Sequence, residues 1–202
     1  MDSTSVSLLD QLRRTNHPDS WDRLVSLYGP LIQTWLAKFD VQSSDQDDLL
    51  QDVLLAVAGD IGQFEHRHAG AFRGWLKQIL LNRLKKHWRS RDRRPEARGG
   101  SDIDGRLAAL EDPTSDVSRI WDRQHDQHVL SHLLAMTEPE FTPTTWDSFC
   151  RVALDGEKPA SVAQELGISL NAVCLAKSRV LRRLRKEAAG MIESSGEIFS
   201  KS

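Results

Sequence analysis

The residues best suited to chemistry in this chain are suited to holding phosphate and bases, not to making or breaking bonds. Six Lys/Arg and no acid fall between Leu170 and Lys186, and eleven Lys/Arg stand against only Asp92 and Glu96 between His66 and Arg98. Basic side chains displace counterions from a nucleic-acid backbone, which gives affinity without sequence preference. Phe64, Trp75 and Trp88 lie in or beside the second stretch and could stack unpaired bases. A tryptophan at helical spacing more often belongs to a core. That is the expectation for Trp75, while Trp88 stands open between the two uses.

Catalysis has no comparable support. No nucleophile stands with a base, and no GxxxxGK[ST] or GxGxxG phosphate loop occurs. His66, His68 and His87 lack carboxylate or cysteine partners at ligand spacing. His125, His128 and His132 recur three and four apart on one predicted helix, but a single helix completes no metal site, so a solvated polar face is expected. Cys150 and Cys174 form no CxxC pair and read as reduced thiols of a cytoplasmic protein. No enzyme, metal or cofactor is expected.

The elements that must position the basic residues are helical. In EKPASVAQELGISLNAVCLAKSRVLRRLRK (Glu157 to Lys186), Ala163, Gly167 and Val173 have the spacing of a helix-turn-helix. Ala163 allows two helices to cross closely. Gly167 permits the turn, because it tolerates positive φ, and Ser169 can cap the second helix. Val162, Leu166, Ile168 and Val173 would fill the core of the pair. Such a unit lays its second helix in the DNA major groove.

Upstream, Ser7 to Arg14 predicts a short helix. Trp21, Leu24, Val25, Tyr28, Leu31, Ile32, Trp35 and Phe39 predict a longer one, kinked or split at Pro30. Val41 to Asp60 predicts a helix capped by Ser43 or Ser44, with six Asp and no base across Asp40 to Asp60. Composition alone favours a solvated acidic face there over a docking surface for a basic partner. AFRGWLKQILLNRLKKHWRSR predicts one helix with Phe72, Trp75, Leu76, Ile79 and Leu80 in its apolar stripe and Arg73, Lys77, Arg83, Lys85, Lys86 and Arg89 mainly elsewhere. Gly99, Gly100, Pro95 and Pro113 predict a flexible linker over 93–122. Thr144 or Thr145 opens a later helix, and the tail after Ala189 is expected to fray.

The fold class is therefore all-α: a helical domain over 1–92, the linker, a second helical domain over 123–190, and a tail over 191–202. The 202 residues carry 28% charged side chains and a net charge of −2, an average that hides the segregation of charge along the chain. No apolar run approaches the ~20 residues of a membrane span, and the N-terminus lacks the basic start and apolar core of a signal peptide.

In this order, the segments resemble the bacterial sigma-70 family, in its small two-domain extracytoplasmic-function group. DQDDLLQDVLLAV (Asp45 to Val57) and the segment from Phe64 to Arg89 resemble the family's region 2, with Asp48, Leu49, Gln51, Asp52, Phe72, Trp75, Leu76, Ile79 and Asn82 at its signature positions. Glu157 to Lys186 resembles region 4.

The resemblance implies a factor that binds core RNA polymerase at the beta-prime clamp and the beta flap and directs it to promoter DNA. Asp48, Leu49, Gln51 and Asp52 would dock on the polymerase, which reverses the composition-based reading of that face. Phe64, His66, Arg67, Phe72, Arg73, Trp75, Lys77, Asn82 and Lys86 would read and open the −10 element, with a flipped base held near the loop from Phe64 to Ala71. Ser169, Leu170, Asn171, Cys174, Lys177, Ser178, Arg179 and Arg182 would meet the −35 element, with Arg183 and Arg185 as further phosphate clamps. An anti-sigma factor holds many members of the group. This chain departs from the family after Val173, where Cys174, Leu175 and Ala176 make the recognition helix begin apolar. Base readout there would rest on Asn171 and on contacts such as thymine methyls. Two rival readings remain: a stand-alone helix-turn-helix regulator of duplex DNA, and an RNA-binding or adaptor protein using the basic helix.

Overall fold

The computed structural model describes residues 8–15, 18–65, 68, 70–92 and 100–192. Among these residues every regular element is helical and no strand occurs. Helix α1 spans Leu8–Thr15 and helix α2 spans Pro18–Lys38. The predicted break at Pro30 is absent, and α2 runs through it. Besides removing a backbone bond, Pro disfavours helix in the residue before it, in part through that residue's Cβ. Here that residue is Gly29, which has no Cβ. Leu24, Leu27, Tyr28, Leu31, Ile32, Trp35 and Leu36 form the buried stripe of α2.

Helix α3 spans Ser43–Asp60 and helix α4 spans Ala71–Asp92. Neither Ser43 nor Ser44 caps α3. Gln42 holds the cap position without a side-chain bond, and its carbonyl accepts from the amide of Asp45 at 2.8 Å. Leu49, Val53 and Val57 point into the core, and α4 meets them with Phe72, Leu76, Leu80 and Leu84.

The predicted linker is largely helical. Helix α5 covers Gly100–Glu111, and helix α6 runs from Asp116 to Thr137. Glycine and proline act there as punctuation at helix ends. Between them Ile103, Leu107 and Leu110, at steps of four and three, supply a stripe that is buried in the core. Ser115 caps α6 by accepting from the amide of Ser118 at 3.0 Å. Trp121, His125, Val129 and Leu133 form the inner face of α6.

Helix α7 covers Pro143–Phe149. Its cap is Thr142 rather than Thr144 or Thr145, because Pro143 takes the first helical position, where a missing N–H costs nothing. A wider helical turn follows over Cys150–Leu154, and the chain reverses at Gly156, φ 73°.

Helices α8 (Pro159–Leu166) and α9 (Leu170–Ala188) meet as the sequence predicts. Gly167 is left-handed at φ 64°, and Ser169 accepts from the amide of Ala172 at 3.1 Å. Val152, Val162, Ala163 and Val173 form a small core of their own, flanked by Leu166 and Ile168. The second half of α9 instead enters the main core through Val180, Leu181, Leu184 and Ala188. Fraying after Ala189 is not observed in the next three residues. The Gly190 carbonyl accepts from the Phe72 amide at 3.2 Å, and Met191 and Ile192 are buried. These two apolar residues outweigh their small, polar neighbours. Residues 193–202 of the expected tail lie outside the described residues.

Candidate nucleic-acid interface

Helical phase sorts α3 into two faces. Leu49 is buried, while Asp48, Gln51 and Asp52 are exposed. With Asp45 these acids form one wall of a groove of about 540 Å³ whose other wall is Arg83, Lys86, His87 and Arg91 of α4. Arg91 reaches Asp45 at 3.2 Å and lies over the Trp88 ring. Leu55, 69% exposed, stands on the acidic side of this groove. Sequence reasoning missed Leu55, and it named Arg83 and Lys86 as basic residues without placing them opposite the acids. The signal for Leu55 was available: it falls one turn beyond Gln51 and Asp52, an apolar residue on a polar face.

A second cavity of about 540 Å³ opens beside the segment expected to hold a flipped base. Its lining includes Asp60, Gln63, Phe64, Glu65, His68 and Trp75. Phe64 and Phe72 are buried with their rings 5.5 Å apart, and Phe64 lies 5.1 Å from Trp75. Phe64 and Trp75 line the cavity, and Phe72 backs Phe64 from the core. Trp75 is only half-buried, which departs from a core-only reading. His66 and Arg67 lie outside the described residues.

The expected −10 residues on α4 separate into two groups. Asn82 and Lys86 are exposed, with Asn82 accepting from Gln78 at 3.2 Å. Arg73 and Lys77 face α6 instead. Arg73 pairs with Asp122 at 3.1 Å and with Asp126 at 2.6 Å, and its side chain is 9% exposed. Lys77 donates to the Ser118 hydroxyl at 2.7 Å and lies 3.4 Å from Asp122. Farther along α4, Lys85 pairs with Glu111 of α5 at 2.6 Å. Trp88 is half-buried beside α5 in a small cleft lined by Leu107 and Ala108, so its surroundings favour packing.

Two of the histidines expected on a solvated face of α6, His125 and His128, are turned inward, and His132 is half-buried. His128 Nε2 lies 2.6 Å from the Leu27 carbonyl, and His125 is fully buried with Nδ1 3.0 Å from Asp126. Burial lowers the His125 pKa, against the upward pull of Asp126 and Asp122, and Arg73 adds to the lowering. Burial also lowers those of His87 and His132. A neutral buried imidazole takes up a proton more readily once unfolded. Stability is therefore complete above the ordinary value of 6.5 and is lost as pH falls below it. The urea midpoint is expected to drop between about pH 7.5 and about pH 5, and His125→Phe is expected to flatten that slope. An unchanged midpoint over this range contradicts the assignment. Among the described residues, no group of three His, Cys, Asp or Glu is placed to hold a metal.

In the α8–α9 pair, Ser169 is occupied as a cap, while Leu170, Asn171, Cys174, Ser178, Arg179 and Arg182 are exposed and Lys177 is half-buried. The exposed face of α9 is apolar or uncharged in its first two turns and basic beyond. Arg183, expected as a phosphate clamp, is held by Glu140 at 2.7 Å and by Glu187, so Arg182, Arg185 and Lys186 are the exposed bases of the last turns.

Residues 24–94, about a third of the chain, match the family model for Sigma-70 region 2. No curated protein matches the chain. The chain thus carries a sigma-70 region 2 domain, which supports a sigma-70 family sigma factor and, with it, interaction with core RNA polymerase and promoter DNA. Among the described residues no helix is long and apolar enough to cross a membrane.

Proposed function

We propose that the chain is a transcription initiation factor of the extracytoplasmic-function kind, acting in the cytoplasm as two functional units. Residues 1–92 bind the beta-prime clamp of core polymerase and read the −10 element. Residues 123–190 carry a helix-turn-helix, α8 and α9, that reads the −35 element and lies against the beta flap. The observation that carries this reading is the exposed Asp48, Gln51 and Asp52 face of α3 inside the segment that matches region 2. Those carboxylates suit a basic partner, and electrostatic matching of this sort sets partner choice more than raw affinity.

Polymerase supplies the bond-making chemistry in this mechanism, and the chain supplies the choice of site. The cavity beside Phe64 and Trp75 accepts a base rotated out of the duplex, which costs a few kcal/mol of unstacking. Capture of that base holds the strands apart without nucleotide hydrolysis. Asn171 and the apolar groups around it meet base edges at the −35 element, while Arg179, Arg182 and Arg185 hold phosphates. An anti-sigma factor would act by covering one of these surfaces. A stand-alone duplex-binding regulator has no use for the α3 face.

In-vitro transcription tests the proposal. Purified chain and core polymerase, supplied with a library of genomic fragments, are expected to start transcripts at discrete sites that core alone does not use. The absence of any such start across the library overturns it.

A further inference from the structure

We propose that α5 and α6 form an acidic strap that takes the place of nucleic-acid phosphate on α4 in the free protein, and that the strap must leave this face before a promoter strand is held. The inference rests on the reading of α4 as a promoter-facing helix. Residues 100–126 carry seven acids and three bases, while α4 carries seven Lys/Arg and one acid. The match is made residue by residue. Asp122 and Asp126 clasp Arg73, Asp122 and Ser118 hold Lys77, and Glu111 holds Lys85. Arg73 and Lys77 stand one turn apart, and Lys85 lies about two turns further along. The strap therefore follows α4 rather than touching it at one point.

Carboxylates bonded to guanidinium and ammonium groups at these distances make the contacts that phosphate oxygens would make. Exchange of one for the other leaves the basic groups equally satisfied. Removal of the strap without a replacement takes two acids from Arg73, whose side chain is 9% exposed. Such a device is held shut in the absence of an anion and open in its presence. The lock also has an apolar part, because α6 buries Trp121 against Trp35 at 4.9 Å. Single-stranded DNA alone must work against that packing, so its apparent affinity is reduced by the small fraction of open molecules. Docking on polymerase supplies the remaining drive.

Fluorescence anisotropy of a labelled single-stranded DNA oligonucleotide with the full chain tests this. Asp122→Asn combined with Asp126→Asn is expected to bind on the order of tenfold tighter than wild type. Glu111→Gln, at an exposed pair, is expected to gain roughly twofold. Addition of Arg73→Ala and Lys77→Ala to the double variant is expected to erase the gain. A folded double variant that binds no tighter overturns the proposal, as does a gain that survives loss of Arg73 and Lys77. If the double variant does not fold, hydrogen exchange of the wild-type complex with core polymerase decides: faster exchange in α5 and α6 supports the strap, and unchanged protection overturns it. Failure of the initiation reading has a separate signature, the absence of transcription starts from wild type.

Discussion

Replacement of Asp48 and Asp52 by arginine together is expected to weaken binding to core polymerase by at least about 100-fold, while leaving the chain folded. Both side chains lie on the exposed face of α3, and no folded-state partner is lost when they change. Like charges brought together across an interface cost several kcal/mol, and each 1.4 kcal/mol is about tenfold in affinity. The two new arginines also face Arg83 and Lys86 across the groove, which adds repulsion on the same side. Co-purification with core polymerase and competition against a second labelled factor read the effect. Helix content by circular dichroism should match wild type. If polymerase binding survives the double reversal unchanged, α3 is not the docking surface.

The second large effect is expected at Trp121. Its side chain is fully buried, edge-on to Trp35 at 4.9 Å, and stands 6.4 Å from the His125 ring. Truncation of a buried tryptophan removes its transfer energy and leaves a cavity that rigid helices fill poorly. Trp121→Ala should therefore cost about 3–5 kcal/mol of stability. The loss is expected to fall on the seam between α2 and α6. Hydrogen exchange should accelerate first in α5 and α6, and α8 with the first half of α9, which rest on Val152, Val162, Ala163 and Val173, should keep its protection. Urea unfolding gives the magnitude, and exchange by peptide gives the location. Uniform acceleration along the chain would show that Trp121 supports every element equally.

Local pattern is what the sequence carried well. The acidic side of α3 follows from helical phase alone, and so does the apolar stripe of α4. Gly167, Ser169 and Val173 are legible because each acts on residues within one turn of itself. Failures came wherever a distant partner decided the outcome. Arg73 and Lys77 read as free bases because their acids, Asp122 and Asp126, lie some fifty residues away in a stretch punctuated by Gly and Pro. His125 and His128 read as part of a wet face because nothing local says that Leu27 offers a carbonyl to His128. Pro30 read as a break because the general rule outweighed the particular glycine before it. Met191 and Ile192 were lost in a polar tail, though two adjacent apolar residues were the available clue.

The bonds between the chain's last turns and its first helices have a consequence for synthesis. Arg23 meets Glu187 across 164 residues, and the Phe72 amide waits for the carbonyl of Gly190. Neither bond forms while α9 is still inside the ribosome, so the contacts of α2 and α4 with the end of the chain are made last. A message cut short before Gly190 yields a polypeptide that retains the Asp48 and Asp52 face but lacks the clasp at Phe72. Such a fragment would keep the strap of α5 and α6 but lose the backbone bond that ties the start of α4 to the end of the chain.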